Sequence, residues 1–337
     1  MKKIRRKSGL GLLDDVLLPD LDSKALRRDP IRAQECFNAL SLADQVRAVL
    51  QRTGKDRLEL ILLSRKSRSL VQSLPEQEWY LTMKQIGSED ALALLAFSSP
   101  RQLTYLFDIE WWYRDILDPL LVIHWLILLM ECGQEKVKQW LKSADVELLI
   151  LVLDKFIRVY KTDPEDEGNE PWRSLELFTL DESYYIHFLD QNLAKPLEKF
   201  MRILRDVEQD YYYHLLDDLG SSIPGEQEEA AGHFRQRRMD EYGFPEFDEA
   251  LKIYAYLSPE KIRRLIEESG KFRPDLSSVP PRYPLSLKDM PRLIGRALSL
   301  IESPEAIEEL QFELARVSNR VLVADALDLS RLENIDR

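Results

Sequence analysis

Cysteine is nearly missing from this chain of 337 residues: Cys36 and Cys132 stand alone, 96 positions apart. That excludes a disulfide framework and points to two reduced thiols that serve as small core residues. Glycine is scarce as well, at 12 residues. Sandwiches and barrels need it in their many tight turns, so helices are the better expectation. Basic charge is outweighed, since 47 Lys and Arg against 59 Asp and Glu leave a net charge of −12. A field of that sign repels a phosphate backbone, and nucleic acid is not an expected partner. Long apolar runs are absent. The longest, Leu120 to Met130, is interrupted by His124 and would extend about 17 Å as a helix, about half the hydrocarbon thickness. It reads as a buried helix with His124 as a hydrogen-bonded core residue, and no membrane insertion is expected.

The usual marks of an enzyme are missing too. There is no Gly-x-Ser-x-Gly elbow, and neither cysteine has a recognisable histidine beside it. Gly9-Leu10-Gly11 lacks the third glycine, the preceding strand and the following lysine of a phosphate loop. No cofactor is expected. The basic start, Lys2, Lys3, Arg5, Arg6 and Lys7, resembles the opening of a secretory signal, but Asp14 and Asp15 interrupt the apolar stretch behind it and no small-residue cleavage site follows. Residues 1–29 are therefore expected to be a flexible basic arm on a cytoplasmic protein.

What the chain does have is apolar residues at 45% beside 31% charged ones, enough to fold, over a length that exceeds a single core. A helix-opening phrase occurs three times: Ser99-Pro100, Ser258-Pro259 and Ser303-Pro304, each followed by aliphatics at helical spacing. The serine hydroxyl accepts from an orphan backbone N–H, and proline at the first helical position gives up a donor that had no partner. From Pro30 to Thr162 the spacing is helical almost throughout, with Pro75, Ser88, Ser99, Pro119 and Gly133 as punctuation. The unit lengths are too uneven for a standard repeat family. The expected fold is mainly α, an irregular, α-solenoid-like array of stacked helical hairpins over 30–162.

An acidic loop at 163–171 would separate this array from a second helical module at 172–270, and a proline-rich linker at 271–286 would lead to C-terminal helices over 287–337. Within the second module, the aromatic, partly alternating stretch at 175–189 suits one small β-hairpin and also reads as a single amphipathic helix. Pro196 to Leu219 reads as one helix capped by Gly220, and Gly243 as the stop of another.

Several constellations bear on chemistry. Asp210, His214, Asp217 and Asp218 lie on neighbouring turns, with Glu229 and His233 four apart further on, so Asp210, His214, Glu229 and His233 form a metal or acid–base candidate. Neither the Glu-x-x-His of di-iron bundles nor the His-Glu-x-x-His of zinc proteases is present, and surface ion pairing is the plainer reading. Trp111 and Trp112, adjacent on a helix, would point about 100° apart, which leaves one of them to stand exposed as a binding anchor or to pack on the next helix. Arg235 and Arg238 precede Phe244 and Tyr254 and would clamp an anion or brace neighbouring helices. These six residues are the candidate interaction set.

Glu228-Glu229-Ala230, Arg235, Arg238, Gly243-Phe244, Glu249-Ala250 and Ile253-Tyr254 resemble a run in a bacterial family catalogued as domain of unknown function 6178. Further matches are Ser99-Pro100, Gln102-Leu103, Leu106-Phe107-Asp108 before Trp112, Tyr185-Ile186-His187-Phe188, and Asn319-Arg320 through Ala324-Asp325. The resemblance runs from about Asp29 onward and carries no activity with it. The resemblance implies further helices after Asp325 where this chain stops at Arg337, so that part of the fold is expected to be absent or split off, leaving Leu310, Phe312 and Leu314 without some packing partners. By leucine spacing the N-terminal half is also similar to the superhelical domains of magnesium-transporter gates and flagellar switch proteins. The functional expectation is a non-enzymatic helical scaffold that binds another protein, the alternative being a metal-binding or enzymatic regulator using the acid and histidine pairs.

Overall fold

A computed structural model of the chain describes residues 29–113, 116–162, 171–221, 224–269, 300–301 and 303–335. The expected basic arm up to residue 28, the acidic loop at 163–170, and the linker and helix at 271–299 lie outside the described residues. The described chain is mainly α, with two small antiparallel β pairs. It divides into two compact units: Met1–Ile86 with Arg238–Arg337, and Gly87–Arg237.

The first unit opens with α1 (Pro30–Ala39), α2 (Leu42–Leu50), α3 (Gly54–Leu63), α4 (Ser67–Gln72) and α5 (Glu76–Ile86). Their starts are capped by side chains: Asp29 accepts from the Arg32 amide at 3.1 Å and Ser41 from the Asp44 amide at 3.2 Å. At the start of α3, Gly54 takes φ +51° and donates its amide to Gln85 Oε1 at 2.8 Å. Helix α3 is the hub, packing on α1, α2, α4 and α5. Phe37, Val49, Leu60, Ile61, Leu70, Trp79 and Met83 fill the space between them.

One charge is sunk into this core. Arg57 is buried and donates to Glu78 Oε2 at 2.8 Å and Thr82 Oγ1 at 2.7 Å, and to the carbonyls of Leu50, Arg52 and Glu78. Desolvating a guanidinium is tolerable only because its donors find acceptors.

The second unit begins with α6 (Leu92–Phe97) and α7 (Pro100–Glu110). Ser99 and Gln102 form a reciprocal capping box at the start of α7. The two-residue strands β1 (Trp112–Tyr113) and β2 (Ile116–Leu117) pair antiparallel, and Asp118 caps α8 (Pro119–Glu131) by accepting from the Leu120 and Leu121 amides. The expected apolar helix is there and buries Val122, Ile123, Trp125, Leu126, Leu128 and Leu129. His124, expected in the core, is instead exposed, with Nε2 3.4 Å from Ser88 Oγ. Two more helices, α9 (Gln134–Leu141) and α10 (Val146–Asp154), follow. Phe107 and Trp111 stack at 4.0 Å between centroids, and the edge of Trp140 closes the group at 5.3 and 5.9 Å.

Strand β4 (Tyr184–Phe188) falls inside the stretch where a hairpin was expected, and Phe178 bridges it at Ile186 through two backbone hydrogen bonds of 2.9 and 2.8 Å. Its longer pairing is with β3 (Ile157–Lys161), in register from Ile157 opposite Phe188 to Lys161 opposite Tyr184. The sequence reading carried the helical pattern through Thr162 and missed β3. Ile157, Val159 and Tyr160 are strand formers, but five residues behind an apolar helix leave too short an alternation to register. The turn before β4 is built from side chains: Thr179 Oγ1 accepts from the Asp181 and Glu182 amides, and Asp181 Oδ1 from those of Ser183 and Tyr184.

Three further helices complete this stretch: α11 (Ala194–Val207), α12 (Gln209–Ser221) and α13 (Pro224–Glu241). The single helix expected over 196–219 is broken at Glu208, whose backbone is extended at φ −161° and ψ 115°. Gly220 lies inside α12 rather than beyond it. α11 packs on α9, and α12 on α10, α11 and β3.

Gly243 stops α13 as expected: it takes φ +83°, and the Phe244 amide reaches back to the Met239 carbonyl at 3.0 Å. The remaining elements belong to the first unit: α14 (Phe247–Leu251), a 3-10 turn (Lys252–Tyr254), α15 (Pro259–Ser269), α16 (Pro304–Ala324) and α17 (Leu332–Ile335). α14 and the 3-10 turn pack on α16, and α17 packs on α5. The other two Ser-Pro starts also form: Ser258 accepts from the Lys261 amide at 3.3 Å and Ser303 from the Ala306 amide at 3.2 Å.

Replacing Arg57 should be costly, because Arg57→Ala leaves the Glu78 carboxylate buried without its cation. Urea unfolding should show a loss of about 3–5 kcal/mol, the range for breaking one side of a buried pair. A loss under about 1 kcal/mol would mean that water reaches this network.

Candidate functional site

In the second unit, the end of α7 and the β1–β2 hairpin meet α13. Arg235 is buried and donates its Nε–H to the Asp108 carbonyl at 2.7 Å, a contact spanning 127 positions. Its guanidinium sits 5.3 Å from the centre of the Trp112 ring. In a site this dry, such a cation–π contact is worth up to about 2 kcal/mol. Beside it, the Trp125 indole donates to Glu110 Oε2 at 3.2 Å, and Asp108 and Glu110 are themselves buried.

Trp111 and Trp112 are both core residues, so neither stands exposed as a binding anchor and the packed alternative holds for both. The physical reason is that α7 ends at Glu110. The chain then turns into β1, so the two side chains leave a helix end and a strand, and each finds cover. Arg235 braces α13 against α7.

In the first unit, a second set of residues gathers where the segment after α13 lies on α16. Asn319 Nδ2 donates to the Tyr242 carbonyl at 2.8 Å, Arg320 stands 3.7 Å from Glu249, and the Tyr254 hydroxyl donates to Asp325 Oδ1 at 2.6 Å. Gly243 is held close, since a Cβ there would meet the Arg316 backbone at 3.6 Å. The hydrogen bond from Lys252 holds the Glu249 carboxyl below its ordinary range, and the Asp325 carboxylate raises the Tyr254 hydroxyl by accepting its hydrogen bond. Phe244 is buried, and Arg238 is half-buried on the last turn of α13. Tyr254 remains 59% exposed, flanked by exposed Phe247, Leu251, Tyr256 and Leu257.

The two sets are drawn from residues that carry the family resemblance: Asp108, Trp112 and Arg235 in one, Gly243, Glu249, Tyr254, Asn319, Arg320 and Asp325 in the other. Sequence reading named most of them but did not pair them. The signal was present in the motifs, and only the fold says which motif meets which.

The metal candidate does not assemble. Asp210 and His214 are exposed on α12, while Glu229 and His233 pair with each other at 3.8 Å on α13. Among the described residues, no three His, Cys, Asp or Glu side chains are placed to hold a metal ion. Asp217 instead accepts from Lys161 Nζ and from the Tyr184 hydroxyl, each at 2.7 Å, and ties α12 to the β3–β4 pair. Those bonds, Lys161 first, hold the Asp217 carboxyl below its ordinary range, while burial leads the rise of the Tyr184 hydroxyl. Cys132 is a poor nucleophile, because burial pushes its thiol up to about 11.

Fold and sites together define a mainly α protein with two small antiparallel β pairs. Among the described residues, no helix is long and apolar enough to cross a membrane. Residues 34–337 match the family of unknown function DUF6178, and the chain belongs to that family. No curated protein and no solved structure matches it.

The Asp217 tie has a pH signature. A carboxyl lowered by folding contributes stability that is full above its unfolded value and is lost as pH falls through the folded one. The stability gap between the wild type and Asp217→Asn should therefore be largest near pH 7 and shrink below about pH 4, where an ordinary Asp begins to protonate. Urea midpoints across that range measure it, and a gap independent of pH would show that the tie is not ionic.

Proposed function

We propose that this protein is a non-enzymatic helical scaffold that binds another protein, in the cytoplasm of a bacterial cell. The observation that carries this reading is the run of exposed apolar side chains at Phe247, Leu251, Tyr254, Tyr256 and Leu257. Tyr256 is 85% exposed, and a tyrosine standing that far into water gives the fold little in return. Aromatic side chains on a fixed base are common anchors of protein interfaces. Here the base is fixed by the Glu249–Arg320 and Tyr254–Asp325 contacts with α16, so a partner would meet a surface already ordered and lose little entropy to it. Phe244 is buried and Arg238 half-buried, and Trp111, Trp112 and Arg235 serve the core of the second unit.

The test is affinity capture of the tagged full chain from its own cells, quantified against a Phe247→Ser/Tyr256→Ser variant of unchanged unfolding midpoint. A specific protein enriched by the wild type and reduced at least tenfold by the variant supports the reading. No protein above background, or equal capture by both, contradicts it.

A further inference from the structure

In the second unit a donor and an acceptor are buried without a hydrogen-bond partner, and the residue of one acts on the other. Tyr212 on α12 is wholly buried, and no protein group bonds its hydroxyl. Asp181, in the turn before β4, accepts at Oδ1 from the Ser183 and Tyr184 amides at 2.9 and 3.1 Å, while its buried Oδ2 has no donor. A folded chain seldom leaves such groups unpaired, because each has given up its hydration and received nothing in exchange.

The fold gathers these residues. Arg205 on α11 donates from Nη1 to the Leu180 carbonyl at 2.9 Å, which holds the residue before Asp181 against α11. On the other side of Asp181, Tyr184 reaches α12 through its hydroxyl bond to Asp217, and its ring lies 5.7 Å from that of Tyr213, the neighbour of Tyr212. Helices α11 and α12 pack on each other. After burial itself, the Asp181 carboxylate is the largest influence that raises the Tyr212 hydroxyl above its ordinary range, and the Arg205 guanidinium acts in the opposite sense. The two unpaired atoms do not bond each other directly. Nor is the carboxylate free to turn, since two amides hold Oδ1, Thr179 Oγ1 accepts from the Asp181 and Glu182 amides, and Glu182 is fixed at φ +60°.

The surroundings select the occupant. A cation would meet the Arg205 guanidinium, and an anion the Asp181 carboxylate. A neutral molecule that accepts from the Tyr212 hydroxyl and donates to Oδ2 satisfies both atoms without adding charge, and the complete burial of Tyr212 restricts it to the smallest such molecule. Buried waters take about two to four polar partners, and they are found where polar groups would otherwise stay unpaired. We propose that one buried water molecule bridges the Tyr212 hydroxyl and Asp181 Oδ2, and so ties the turn before β4 to α12. This interior tie would stand beside the more exposed one that Asp217 makes to Lys161 and Tyr184, and unlike that one it needs no lysine.

The test joins a crystal structure of the full chain to urea unfolding of the wild type and of Tyr212→Phe. The expected density is a single water within about 2.6–3.2 Å of both atoms. Phenylalanine fills the same space without the hydroxyl, so Tyr212→Phe should raise the unfolding equilibrium constant about fivefold, the effect of one lost hydrogen bond. A hydroxyl that truly has no partner would instead make this substitution neutral or stabilising. A direct bond between the hydroxyl and Asp181, a metal ion at that position, a separate water on each atom, no density between them, or an unfolding constant that Tyr212→Phe leaves unchanged or lowers overturns the proposal.

Discussion

A helix of two or three turns keeps its shape in water only while something covers its apolar stripe, and most of the described helices are of that size or shorter. Capping supplies the starts. Asp29, Ser41, Ser99, Asp118, Ser258 and Ser303 each accept from an amide in the first turn of the helix behind them. Side-to-side packing supplies the rest: α3 is held by four helices of the first unit, and α8 buries several sides of its apolar run in the second. On α15, by contrast, every residue from Pro259 to Leu265 is exposed.

Polar groups decide which helices meet. Aliphatic packing is tolerant of partner, whereas a buried donor needs its own acceptor. Arg57 reaches three carbonyls and two side chains, Arg235 reaches the Asp108 carbonyl, and Asn319 reaches the Tyr242 carbonyl. Each would leave an unpaired group if the packing slipped by one turn. That gives the family motifs a physical role, in that several of their members hold distant stretches of chain in one arrangement. The exposed apolar residues around Tyr254 follow one of these contacts, that between Tyr242 and Asn319.

The helical character of the chain was legible because its signals are local. The Ser-Pro starts, the Leu120–Met130 helix and the Gly243 stop depend on a few neighbouring residues, and the fold places all of them where the sequence does. The errors come from tertiary contacts. β3 needs β4 across more than 20 positions to exist as a strand, and the break at Glu208 splits a hydrophobic pattern that continues through it. The tryptophan pair was judged on an ideal helix, although α7 ends one residue before Trp111. For the candidate sites, sequence supplied the residue types but not the partners: Asp217 stood beside His214 in the list of possible ligands, and the fold gives it to Lys161 and Tyr184.

The central claim is that packing by neighbours, more than helix propensity, holds these helices, so that α15, exposed at every residue from Pro259 to Leu265, is held more weakly than α7 and α8. Amide hydrogen exchange on the isolated full-length protein tests this most directly, with α7 and α8 as internal references for covered helices. The account predicts that the α15 amides exchange close to the rate of an open chain while those of α7 and α8 remain protected. Protection of α15 equal to that of α7 in the isolated protein would contradict it.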